Sequence, residues 1–175
     1  MPRLLLAFCL VLCIAGCDGG QPGSLPQADY EGALGVAIVR HLIKNQPDPA
    51  PGIPKSYCLV TGKSLDTTSM DFARRFADLK LRIISADVLL VTPPDNAVVD
   101  PETRLAPIVF QIALIKSTGP SSWTADVGWS YKKTFEKQRL DVVQKDGKYE
   151  VLKTTRLEGN WQPGVDAKAS LPVKP

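Results

Sequence analysis

One histidine, His41, stands in the whole chain, and that scarcity removes more chemistry than any motif adds. A Ser-His-Asp or Cys-His arrangement would have to use it. Charge of one sign is also missing. Lys and Arg number 21 against 18 Asp and Glu, a net charge of +3, which creates no field that argues for nucleic acid. No apolar run is long enough to cross a membrane. The longest, Leu4 to Ala15, is twelve residues, whereas a bilayer core of about 30 Å needs ~20.

That short run has the length of a secretory signal's apolar region, with Arg3 before it and small residues after it. Its end, Ile14-Ala15-Gly16-Cys17, resembles the lipobox of bacterial lipoproteins: aliphatic, small, Gly or Ala, then Cys. The resemblance covers residues 1 to about 20, with Ile14 where Leu is commonest. It implies a diacylglycerol thioether on Cys17, cleavage between Gly16 and Cys17, and acylation of the new amino terminus. Two or more acyl chains hold where one is marginal, at roughly 0.8 kcal/mol per buried methylene. Asp18, next to the lipidated position, implies retention in the inner membrane of the envelope. The alternative is an ordinary signal peptide in which Cys17 falls by coincidence.

On that reading Cys9 and Cys13 leave with the signal and Cys17 carries lipid. Cys58 is then the single free thiol, so no intramolecular disulfide forms despite an oxidising compartment. One histidine and one thiol cannot supply a zinc site. Cys58 lies in Tyr57-Cys58-Leu59-Val60, where a small buried hydrophobe is expected rather than a reagent.

The organisation reads as signal 1–16, lipidated Cys and flexible tether 17–28, one domain 29–159, and a loose tail 160–175. Asp29 is placed to cap a helix near Tyr30, with Tyr30, Leu34, Ala37, Ile38, His41 and Leu42 as its apolar stripe. Pro47 ends it. After a strand at Tyr57–Thr61, Asp66 or Thr68 would cap a second helix lined by Met70, Ala73, Phe76, Ala77 and Leu79. Strand pieces follow at 81–84, 88–91 and 98–99. A long strand then presents Ile108, Phe110, Ile112 and Leu114 on one face. The next alternates Trp123, Ala125, Val127, Trp129 and Tyr131 with polar residues. Asp146-Gly147 is a two-residue hairpin turn that pairs Lys145 with Lys148, Gln144 with Tyr149 and Val142 with Val151. The expected fold is α+β: two N-terminal helices packed on one face of a curved antiparallel sheet, a meander of four or more strands. Such an arrangement loosely resembles the cystatin and cone-shaped α+β folds.

Chemical motifs are thin. Gly62-Lys63-Ser64 is similar to the end of a phosphate-binding loop, but Tyr57 stands where that motif needs glycine. Asp95, Asp100 and Glu102 lack the ligand alternation and glycine of a calcium loop. Asp126 and Glu150 are on different strands, without a visible cleft. Lys132, Lys133, Lys137 and Arg139 form a basic cluster with Glu136 and Asp141 among them, the mark of a solvated hairpin more than of a lipid-headgroup site. Trp129 and Tyr131 are either core or, where the sheet curves past the helix, a binding surface. The reading is therefore a lipid-anchored envelope protein without cofactor or metal. Its partners are the membrane through Cys17 and an envelope protein, met through the sheet or a groove beside the first helix. The alternatives are a small hydrolase using Cys58 and His41, or a structural subunit of an envelope complex.

Overall fold

The computed structural model describes residues 30–94 and 97–162. Helix α1 spans Ala33–Asn45 and buries Leu34, Gly35, Ile38, Val39 and Leu42, the three- and four-residue spacing of an amphipathic helix. Gln46 ends it in an extended conformation, as the position before Pro47 requires. Asp29 lies outside the described residues, and Gly32 occupies the cap position without a side-chain bond. Gly35 explains how Tyr30 is held. A Cβ there would fall 1.6 Å from the Tyr30 carbonyl oxygen, so the bare backbone lets Tyr30 lie on the helix with its ring in the core.

The expected second helix is cut short. Helix α2 covers only Met70–Arg74, followed by a 3₁₀ turn at Ala77–Leu79. Its cap is Ser69, whose hydroxyl accepts the Phe72 N–H at 3.1 Å. Asp66 is in a strand, and Thr68 donates instead to the Leu59 carbonyl. The buried pair is Phe72 and Phe76, edge to face at 5.3 Å, while Met70 stands exposed. Arg40 of α1 stops further winding: it donates to the Arg75 carbonyl and forks onto Asp78, satisfying from outside a carbonyl left over at the helix end.

The sheet is built from β1 (Ser56–Thr61), β2 (Asp66–Thr67), β3 (Arg82–Ile84), β6 (Ile108–Gly119), β7 (Ser122–Tyr131), β8 (Thr134–Lys145) and β9 (Lys148–Gly159). Its order is β2-β1-β6-β7-β8-β9, with β3 also beside β1. Strands β6 to β9 form the expected antiparallel meander. Strand β1 departs from it by running parallel to both β3 and β6. The long segment between β1 and β6 makes that crossover possible; apolar alternation carries no sign of strand direction. A separate two-stranded hairpin joins β4 (Leu90–Thr92) to β5 (Ala97–Val99). The fold is thus mixed α and β, mostly curved sheet, with one substantial helix on one face.

The Asp146-Gly147 register is as counted from sequence, with Val142, Gln144 and Lys145 opposite Val151, Tyr149 and Lys148. Both turn residues have positive φ, 51° and 74°, which suits the twist of a two-residue hairpin. The expected face of β6 fails at its last member. A register shift between Ile112 and Leu114 turns Ile115 into the core in place of Leu114, as a bulge does. The core lies between α1 and this face of the sheet, with Phe110, Val127 and Leu140 at its centre.

Candidate functional site

Strand alternation decides where the two reactive side chains go. In β1, Leu59 faces the main core, so its neighbour Cys58 points to the opposite side of the sheet. His41, on α1, bonds Thr154, which is paired with core-facing Leu140. Cys58 and His41 therefore stand on opposite faces, and the proposed dyad does not form. Cys58 is 1% exposed. Burial pushes its thiol up to about 11, with the Asp87 carboxylate adding to the shift.

The other sequence motifs are occupied structurally. Gly62-Lys63-Ser64 turns the chain between two strands, β1 and β2, rather than into a helix. Asp100 is buried, unlike a solvated turn residue: Arg82 donates to both of its oxygens at 2.8 and 3.0 Å, and the Glu102 N–H adds a third bond. The Arg82 guanidinium holds that carboxyl well below the usual carboxylate range. Asp95 lies outside the described residues, as do Gly16 and Cys17. In the basic cluster, Lys137 pairs with Glu158 and Arg139 forks onto Asp126.

The feature that stands out is a small cleft at the C-terminal end of α1, lined by His41, Leu42, Asn45, Gln46, Trp129 and Gln138. It has room for about one water-sized group. Of its lining residues, Trp129 and Gln46 have a buried nitrogen, the indole N–H and the amide nitrogen, without an acceptor. The Trp161 indole N–H is likewise unpaired, and its ring packs edge to face on Trp129 at 5.5 Å. Trp129 and Tyr131, read as a possible surface, are 3% and 8% exposed and belong to the core. Only Trp129 borders the cleft.

A second set of groups holds this end of the sheet together. Glu136, opposite Trp129 on β8, accepts a hydrogen bond from Gln138 and lies 3.5 Å from the Arg156 guanidinium. Arg156 also donates to the Gly159 and Trp161 carbonyls. Trp161, placed by sequence in a loose tail from residue 160, is instead a core residue at 4% exposure. Asn160 is fixed too, through bonds to Phe135 and Lys133. The ordered domain runs past 159 because the aromatic ring of Trp161 finds Trp129, a contact that has no period in sequence.

His41 has a defined proton position. The Asn45 amide nitrogen donates to the His41 carbonyl at 2.8 Å and faces Nδ1 at 3.2 Å. Nδ1 must therefore accept, leaving the proton on Nε2, 3.2 Å from the Thr154 hydroxyl. Desolvation, followed by the nearby Lys44 charge, lowers the imidazole pKa and favours this neutral form. With Nε2 donating, His41 cannot take a proton from Thr154. The unpaired buried groups of Trp129 and Gln46, which line the cleft, are both N–H donors.

Sequence reading found His41 and Trp129 but missed Gln46, Gln138 and Trp161. The four-residue step from His41 to Asn45 was the one available sign, placing both on the same side of a helix. Comparison with family models, curated proteins and solved structures returned no match, so the geometry alone carries the functional argument.

Proposed function

We propose that this chain is a lipid-anchored, non-enzymatic binding module of the bacterial cell envelope. It takes a carbonyl or carboxylate oxygen of an envelope protein into the cleft beside α1. The observation that carries the reading is the pair of unpaired donors on Trp129 and Gln46, two residues that line the cleft. A buried polar group without a partner costs about 1–3 kcal/mol, so an incoming acceptor is stabilised by groups already in place. Membrane attachment rests on the Ile14-Ala15-Gly16-Cys17 pattern, and Asp18 favours the inner membrane. No helix among the described residues is long and apolar enough to cross a membrane, and a lipid on Cys17 makes one unnecessary.

The test is capture of partners from gently solubilised envelopes with the lipidated protein, its Cys17→Ser form, and Trp129→Phe with Gln46→Leu. The last pair removes two donors while keeping most of the apolar volume. Recovery by the first two forms and loss of about tenfold or more with the donor variant is the expected pattern, one lost charge-free hydrogen bond or more. Equal recovery by the donor variant, with unchanged thermal unfolding, would remove the cleft. A Cys17→Ser protein that still floats with membranes would remove the anchor.

A further inference from the structure

Among the described residues, eight large apolar side chains are exposed, and they are not scattered. Leu65 and Met70 flank the short segment after β1. Val88, Leu90, Val91 and Val98 stand on and beside the β4–β5 hairpin, Val91 at 62% exposure and Val98, directly opposite it, at 41%. A hydrogen bond of 2.8 Å from Thr67 to Asp87 ties these two segments together. The remaining pair, Leu152 and Leu157, sits at the two irregularities of β9 at the other edge of the sheet. No third strand covers β4–β5, and a two-stranded hairpin is marginal by itself in water. An apolar patch of this kind marks a surface that meets something.

What it meets follows from where the anchor joins the domain. Glu31, the second described residue, accepts the Ser69 N–H and hydroxyl. Ser69 is two residues from Thr67 and next to Met70. The described chain therefore begins beside Met70, one member of the apolar patch. Residues 18–28, read as tether, and Asp29 separate Cys17 from Tyr30; such a segment extends at most ~43 Å and spans about 20 Å on average if flexible. The cleft lies at the other end of α1, a helix of 13 residues and so about 20 Å away. The patch carries both signs of charge, Lys63 with Asp66, Asp71 and Asp87, which does not favour an anionic surface in particular.

We infer that the β4–β5 hairpin, with Leu65 and Met70, is a second membrane contact, resting on the reading that Cys17 is lipidated. Its valines and leucine enter the interfacial layer of the bilayer that holds the acyl chains. One anchor fixes position, and two contacts fix orientation. The domain then lies with the cleft turned away from the membrane, where an envelope partner can reach it. Because the contact is apolar, it is insensitive to salt and to anionic lipid.

The test uses the full lipidated protein in phosphatidylcholine vesicles, with an environment-sensitive dye on Val91→Cys, Val98→Cys or Leu152→Cys. Cys58 is buried and stays unlabelled under native conditions. Flotation reports the anchor independently of the dye. The expected result is a blue shift at 91 and 98, quenching by lipid-borne quenchers, and protection from aqueous iodide by about threefold or more relative to 152. Val98→Asp should abolish the shift at 91 while the protein still floats. Three outcomes overturn the inference: flotation with position 91 as iodide-accessible as 152; a shift that depends on protein concentration and ignores lipid quenchers, which signals a second copy; or a shift that appears only when an envelope extract is added, which signals a protein partner. Failure of the wild-type protein to float at all overturns the anchoring reading instead.

Discussion

Cys58 offers the sharpest test of how the fold disposes of the free thiol among the described residues. Consider the protein without residues 1–17, so that Cys58 is the single thiol, treated with iodoacetamide at pH 8. Burial pushes the thiol up to about 11, which leaves about 0.1% thiolate at that pH, against roughly a quarter for an ordinary thiol near 8.5. Ionisation alone therefore slows the reaction about 250-fold. Access slows it separately, because the residue is 1% exposed and the reagent must wait for opening. At the low end of ordinary domain stability, about 5 kcal/mol, only on the order of one molecule in five thousand is unfolded. Alkylation followed by intact mass should thus be at least about 200-fold slower than in guanidinium, by either route. If opening controls it, the native rate should rise with pH as an unfolded thiol does, near 8.5, and not near 11. A native rate within tenfold of the unfolded rate would refute the burial argument. It would also reopen the reading of Cys58 as a nucleophile.

Two further expectations follow from single residues. Gly35→Ala places a methyl group 1.6 Å from the Tyr30 carbonyl oxygen, a backbone contact that cannot yield without moving Tyr30 out of the core; the loss should be at least ~2 kcal/mol in urea, beyond ordinary overpacking, while the exposed Lys44→Ala should stay within about 0.5. A small effect at Gly35 would mean that Tyr30 is not held as described. His41 gives the single histidine resonance of the chain, and its titration midpoint should fall below 6.5 because burial disfavours the cation. The linked sign is that the folded state resists a proton that the unfolded chain accepts below about 6.5, so stability falls on acidification through that point. His41→Gln should flatten the decline in Tm between pH 7 and 5, and a midpoint at or above 6.5 would contradict the account of burial disfavouring the imidazolium.

How far the fold was legible depends on the range of the interaction that made each part. The β8–β9 register was readable because Asp146 and Gly147 have to adopt positive φ and then force the pairing of their neighbours. The α1 stripe was readable at Leu34, Ile38 and Leu42, where helix period and burial agree, while Ala37 and His41 are only half-buried and Gly35 and Val39 are buried in addition. Helix α2 was misjudged in length and phase, since Arg40, more than 30 residues away, captures its last carbonyl. The parallel placement of β1 was not readable, for side-chain alternation is the same in either direction. Of the cleft, His41 and Trp129 were visible as residue types worth watching. Their arrangement was not, because it needs Trp161 folded back from beyond β9 and held there by Arg156.

By itself the sequence determined what is local: the Ile14-Ala15-Gly16-Cys17 pattern, the scarcity of histidine, the tight turn, and the amphipathic period of α1. The tertiary structure alone decided which side of the sheet each side chain meets. One residue of strand register separates Cys58 from the face that holds His41. Tertiary packing likewise leaves the donors of Trp129 and Gln46, which line the cleft, unpaired and the valines of β4–β5 bare outside the core. Those outcomes depend on contacts between distant segments, whose geometry is set only when the whole chain has packed.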